Sequence, residues 1–244
     1  GDKLNLSTAQ SEADLVDGGL RYDLTLPLAR YYANNAAVLP KPFKALQMGS
    51  VWRADRPQKG RFRQFVQCDI DILGEPSNLA EIELILATTT TLGKLGFSGF
   101  KVRINERRIL KAMAVYAGFA EDELDNVYII LDKMDKIGKD GVKEDLIADG
   151  FDTDKVEKYM ALFDGIETAA DGIAYLGETL ADCLDPDVIK SLSEIKESVS
   201  STVDTDFEIV FDPTLVRGMS YYTGTIFEIE MPQFGSSVAG GGHY

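Results

Sequence analysis

From Arg61 to Ile72 the chain alternates: RFRQFVQCDIDI. Side chains two apart share a face of a β-strand. One face therefore carries Arg61, Arg63, Phe65, Gln67, Asp69 and Asp71. The other carries Phe62, Gln64, Val66, Cys68, Ile70 and Ile72. A strand-like run, Phe43 to Trp52, precedes it across a basic loop, so the whole reads as a β-hairpin. The apolar face is expected to pack on a core. The polar face places cations at one end and carboxylates at the other, an order suited to holding a polyanion beside a cationic group. The same pattern also serves an amphipathic hairpin with an ordinary wet face.

Charge sharpens the first reading. The 244 residues hold 25 Lys and Arg against 40 Asp and Glu, a net charge of −15. Such a surface repels nucleic acid at long range. The distribution is uneven, however. Ile104 to Val203 holds 23 acidic and 11 basic residues, whereas Arg53 to Arg63 holds five basic and one acidic. The hairpin loop is a cationic island, and a phosphate ligand stays compatible with the acidic total. No apolar run approaches the roughly 18 residues of a membrane helix. Cys68 and Cys183 are far apart in sequence and His243 is the single histidine. A disulfide framework and a zinc site are therefore unexpected, and reduced thiols in a cytoplasm are expected.

The remaining pattern is mixed α+β. Leu20 to Asn35 begins extended and is expected to turn helical after Pro27. Ser77 or Asn78 caps a helix over about Leu79 to Leu95, with Leu79, Ile82, Leu86 and Thr89–Thr90 on its buried side. A strand follows near Phe100 to Ile104. From Glu106 to about Ser201 helical periodicity dominates, punctuated by Gly118, Gly138, Gly150, Gly165, Gly177 and Pro186, which predicts five or six helices. Strands return at Asp206 to Asp212 and Thr223 to Met231, before the glycine-rich run Gly235 to Tyr244. The expected architecture is an antiparallel sheet flanked by helices and interrupted by a helical module. The core spans 1–104 and 204–244, and the insertion 105–203.

Four segments mix charge or aromatic hydroxyls with tight glycine: LRYDLT (Leu20 to Thr25), the hairpin, LVRGMSYYTGTIFE (Leu215 to Glu228) and AGGGHY (Ala239 to Tyr244). The hairpin's RPQKGRFRQF resembles motif 2 of the class II aminoacyl-tRNA synthetases, specifically the histidyl-tRNA synthetase family. The other three resemble that family's histidine-binding segment, its Arg-Gly-Leu-Asp-Tyr-Tyr signature and the start of its Gly-Gly-Arg-Tyr-Asp segment. All four stand in the family's order, and the resemblance covers nearly the whole chain.

The resemblance implies a class II synthetase-like α+β fold that activates L-histidine with ATP and transfers it to tRNA(His). It implies Arg53 and Arg217 as catalytic arginines, each touching both histidine and the α-phosphate region. Asp23, Leu24, Thr25, Gln67, Asp71, Tyr221 and Tyr222 would complete the histidine site. Asp55, Arg61, Arg63 and Phe65 would join Arg53 in binding ATP, with Phe65 stacked on adenine. Mg2+ would accompany ATP, with no metal held by the protein itself. A homodimer in the full-length protein, no membrane and a cytoplasmic location are also implied. The first motif and its dimer helix would precede Gly1, and the third-motif arginine and an anticodon-binding domain would follow Tyr244, as for a catalytic-domain fragment. Two positions depart from the pattern: Ser220 stands for Asp and His243 for Arg, which loosens support around the pocket. Asp69 is expected to be structural, and His243 a satisfied residue at the pocket edge rather than a metal ligand. A rival is the histidine-binding regulatory subunit of ATP phosphoribosyltransferase, which shares the fold but generally loses the RPQKGR loop. A synthetase-like sensor of uncharged tRNA is a third reading.

Overall fold

The computed structural model describes residues 10, 11, 14, 16–57, 60–202, 205–216 and 222–244. They divide into two compact units, Gly1–Pro76 and Ser77–Tyr244.

The first unit comprises helix α1 (Thr25–Asn35) and strands β1 (Phe43–Trp52) and β2 (Gln64–Leu73). The strands pair antiparallel from Phe43↔Leu73 to Trp52↔Gln64. Helix α1 begins at Thr25, ahead of the start expected after Pro27, and Asp23 Oδ1 accepts the Leu26 N–H at 3.1 Å. Pro27 then falls in the first turn, where a missing N–H costs nothing.

The hairpin buries the opposite face from the one expected. Leu46, Met48, Phe62 and Val66 are 64–72% exposed, while Asp71 is only 8% exposed. The cause is the segment before α1, which crosses the polar face and is tied to β1. Trp52 donates its N–H to the Arg21 carbonyl at 2.9 Å. Arg21 Nε donates to the Ser50 carbonyl at 2.8 Å, and Gln47 Nε2 to the Leu24 carbonyl at 3.3 Å. Gly49 permits this crossing, since a Cβ there would stand 2.5 Å from an Arg21 guanidinium nitrogen.

The second unit runs α2 (Leu79–Lys94), β3 (Phe100–Glu106), α3 (Arg107–Ala117), α4 (Leu124–Leu131), α5 (Met134–Ala148), α6 (Thr153–Thr168), α7 (Gly172–Thr179), α8 (Pro186–Thr202), β4 (Phe207–Phe211), β5 (Thr225–Met231) and β6 (Ser236–Gly242). Six α-helices thus follow β3, at the upper end of the expected count. Their ends carry clear signals. Gly118 closes α3 at φ 100°. Asp152 and Asp171 accept backbone N–H groups at the starts of α6 and α7.

The sheet order is β4-β3-β5-β6. Within the α+β class expected, one pairing differs: β3 runs parallel to β4, while β5 pairs antiparallel with both β3 and β6. One face of this sheet and the helices share a core in which Ile85, Val102, Ile104, Met113, Leu192 and Ile229 are fully buried. Phe119, Tyr159 and Phe163 continue it among the helices through edge-on ring contacts at 5.3–5.6 Å. Arg103 ties β3 to the loop after β4, donating to Asp212 and to Asp135 at 2.8 Å.

Candidate active site

In the first unit, strand alternation and the crossing segment gather one group of polar side chains. The Arg53 guanidinium stands between two rings, 4.4 Å from the Tyr22 centroid and 5.1 Å from the Phe65 centroid. Its Nε donates to the Tyr22 carbonyl at 3.3 Å. Cation–π contact on two sides fixes the fork without consuming its remaining N–H donors.

Beyond Phe65 on the same strand face come Gln67, Asp69 and Asp71, across from Gly49, Gln47 and Ala45 of β1. The space over Gly49 is taken by Arg21 and Leu24 of the crossing segment. Asp23 and Asp71 are buried, at 7% and 8% exposure. The Gln67 side-chain oxygen is buried with no hydrogen-bond partner among the described residues. A buried acceptor left so costs about 1–3 kcal/mol, and an incoming N–H donor would relieve it. Burial, with Asp71 and Asp23 nearby, pushes the Asp69 carboxyl up to about 6, against the pull of Arg53. Asp69 thus sits electrostatically with Asp71, Asp23 and Arg53.

The loop end of the hairpin forms a second group. Arg63 Nε donates to the Asp55 carbonyl at 3.3 Å, and Arg61 Nε lies 4.0 Å from the Asp55 carboxylate. Arg53 N–H donates to the Arg63 carbonyl at 2.9 Å, so the two groups share a backbone. Leu24 is buried and Thr25 opens α1, both within the crossing segment.

In the second unit, Tyr222 is half-buried against the core and its ring lies on Gly242, where a Cβ would stand 2.9 Å from Tyr222 Cγ. His243 Nδ1 is 2.7 Å from Glu81 Oε1. The Glu81 hydrogen bond, the largest influence, raises the imidazole above its usual range, and burial opposes it. Glu106, 1% exposed, accepts from Arg108 Nε at 3.0 Å and from Thr225 Oγ1 at 3.1 Å. Arg217, Ser220 and Tyr221 lie outside the described residues.

The histidyl-tRNA synthetase family model matches residues 14–244. This chain belongs to the histidyl-tRNA synthetase family. It is 45% identical to the histidine–tRNA ligase of Leifsonia xyli over 252 residues, covering all of this chain and 58% of that relative's length. The crystal structure of histidyl-tRNA synthetase from Nostoc sp. superimposes with a TM-score of 0.78 at 26% identity, over 97% of this chain and 58% of that one. An ATP phosphoribosyl transferase complex from Thermotoga maritima shares the fold, with a TM-score of 0.64 at 17% identity over 92% of this chain and 75% of that one. The chain spans little more than half the length of such synthetase relatives.

Within the histidyl-tRNA synthetase frame, sequence reasoning missed three participants. Tyr22 is the second ring on Arg53, and it sits in a segment already singled out. Arg21 pins that segment to β1. Glu81 is the partner of His243. Its signal was its place in the row Glu81–Ile85–Thr89, which the structure buries on α2. The expected row shares Thr89 with it and otherwise differs: Leu79 is exposed, whereas Ile82 and Leu86 are only partly covered. A cavity of 610 Å³ in the second unit, lined by Lys101, Arg103, Asp135, Asp212, Glu228 and Glu230 among others, holds none of the expected site residues. Its Arg103 is already occupied by two carboxylates. No helix among the described residues is long and apolar enough to cross a membrane.

Proposed function

We propose that the full-length protein activates L-histidine with ATP, forming histidyl-adenylate and pyrophosphate, and then transfers the histidyl group to tRNA(His) with release of AMP. The observation that carries this is the Arg53 guanidinium held between Tyr22 and Phe65 at the head of a strand face that continues into Gln67, Asp69 and Asp71. A planar cation meets acceptors for an ammonium along one strand, which is the requirement for joining an amino acid to a nucleotide.

The first step is attack of the histidine carboxylate on the α-phosphorus, with pyrophosphate leaving. Two anions approach, so a fork bridging carboxylate and α-phosphate lowers the barrier most. Arg53 fills that role. Arg217 supports the α-phosphate by resemblance. Arg61 and Arg63 hold the outer phosphates, releasing Asp55 toward the adenine amino group. The Phe65 ring carries adenine. Asp23, Leu24, Thr25 and Gln67 surround the ammonium, and Asp71, Tyr221 and Tyr222 the imidazole. A carboxylate at one ring nitrogen and a phenol at the other fix the tautomer. Substrates without ring nitrogens would strand these groups, a penalty that sustains discrimination of about 10⁴–10⁵.

Among the described residues no three His, Cys, Asp or Glu side chains are grouped to hold a metal ion. Mg2+ would accompany the nucleotide phosphates. Residues 105–203 act as an insertion in a core formed by 1–104 and 204–244. The full-length protein works as a homodimer in the cytoplasm. The test is pyrophosphate exchange into ATP, expected only when histidine is present. Equal exchange with several amino acids overturns the assignment. Histidine binding with no exchange and no ATP binding favours a regulatory subunit instead.

A further inference from the structure

We propose that Glu81 and His243 form a clasp that positions Tyr222 for histidine binding, and that raising the pH opens it. The inference rests on the reading of Tyr222 as part of the histidine pocket. It assigns this chain a pH response at the position where its family has arginine.

The anchor is α2. Glu81 lies in the helix's buried row beside Ile85 and Thr89, both 0% exposed. The moving part is the stretch just past β6. His243 donates its backbone N–H to the Thr225 carbonyl and accepts the Thr223 N–H, both at 2.8 Å. Its ring side lies over Gly224, where a Cβ would stand 3.0 Å from His243 Cβ. Residues 223–225 are thus held by His243 on both backbone groups. Tyr222 comes immediately before them and rests its ring on Gly242, immediately before His243. Whatever fixes His243 fixes the platform under Tyr222.

The side-chain tie is the 2.7 Å contact from Nδ1 to Glu81 Oε1. Other charges acting on the ring are Glu106 at the end of β3, which favours the cation, and Arg108 of α3, which opposes it. Glu106 is largely engaged by Arg108 and Thr225. Residues 223–225 add no charge. The hydrogen bond and the carboxylates outweigh burial, so the folded-state imidazole titrates above its usual 6.5. The clasp is complete below 6.5 and is lost as pH rises through the folded-state value. An arginine here stays charged throughout.

The experiment is steady-state pyrophosphate exchange on the full-length protein from pH 6 to 9, with His243→Arg in parallel. Free histidine titrates in the same range, so the comparison with the variant carries the result. In the natural protein the KM for histidine is expected to rise about three- to tenfold more across the range than in His243→Arg. The change in kcat is expected to be smaller, and the KM for ATP unchanged. Parallel pH profiles in the two proteins overturn the clasp. An independent reading follows the His243 and Tyr222 ring signals by NMR. A shared midpoint above 6.5 is expected. A Tyr222 signal indifferent to the His243 titration overturns the clasp even if the protein activates no amino acid.

Discussion

The hairpin of the first unit and the helices of the second differ in which side chains they cover. In the second, Ile104, Leu146, Tyr159 and Leu192 are fully covered, and lysines pair with carboxylates at the surface, as Lys139 does with Asp164 and Glu167. In the first, Asp23 and Asp71 are covered while Leu46 and Met48 lie open. The usual ordering of apolar inside and polar outside is reversed across one hairpin. Such a reversal costs stability and is kept where the buried polar face has a partner to meet. The helical unit is read as the source of stability, and the hairpin as the source of chemistry.

The sharpest way to break this contrast is Arg53→Ala in the full-length protein. Exchange activity is expected to fall about 10²–10³-fold, the loss typical of one preorganised electrostatic group, while the unfolding midpoint stays near its original value. A near-normal rate would remove the hairpin from the chemistry. A pair of truncations measures the stability side. Ile104→Ala in β3 is expected to cost about 2–5 kcal/mol in denaturant unfolding. Met48→Ser on the open hairpin face is expected to stay within about 0.5 kcal/mol. Similar costs at both sites would erase the distinction.

Asp69→Asn gives a smaller effect with a defined sign. The natural carboxyl titrates near 6 when folded and near 4 when unfolded. The folded state therefore holds the extra proton between those values, and stability falls as pH rises from about 4 to 6. The amide removes that slope. Thermal unfolding at pH 7.5 should show the variant about 2 °C more stable, with no difference at pH 4. A variant less stable at pH 7.5 would mean that Asp69 makes a stabilising contact instead.

Much of this was legible in the sequence. The bounds of β1 match the strand expected over Phe43 to Trp52, and the sharing of faces along β2 followed from alternation. Which face of the hairpin is covered did not. Periodicity says which side chains share a face, and coverage depends on a segment twenty to thirty residues away that crosses above Gly49. The parallel pairing of β3 with β4 was equally hidden, because the strands are separated by the six-helix stretch and alternation carries no direction. Glu81 was passed over because a helix's apolar residues were used to choose its buried side. Here a carboxylate occupies that side and answers a histidine more than 160 residues later. For the site, the motifs supplied Arg53, Phe65, Gln67 and Asp71 as one set. They missed Tyr22 as a ring on the guanidinium, a product of close approach rather than spacing.

The buried polar face of the hairpin is proposed to recognise histidine separately from the nucleotide. Calorimetric titration of the full-length protein with histidine and with ATP, repeated on Asp71→Ala, tests it most directly. The account predicts histidine affinity reduced at least tenfold with ATP affinity retained. Loss of ATP binding with histidine binding intact would contradict it.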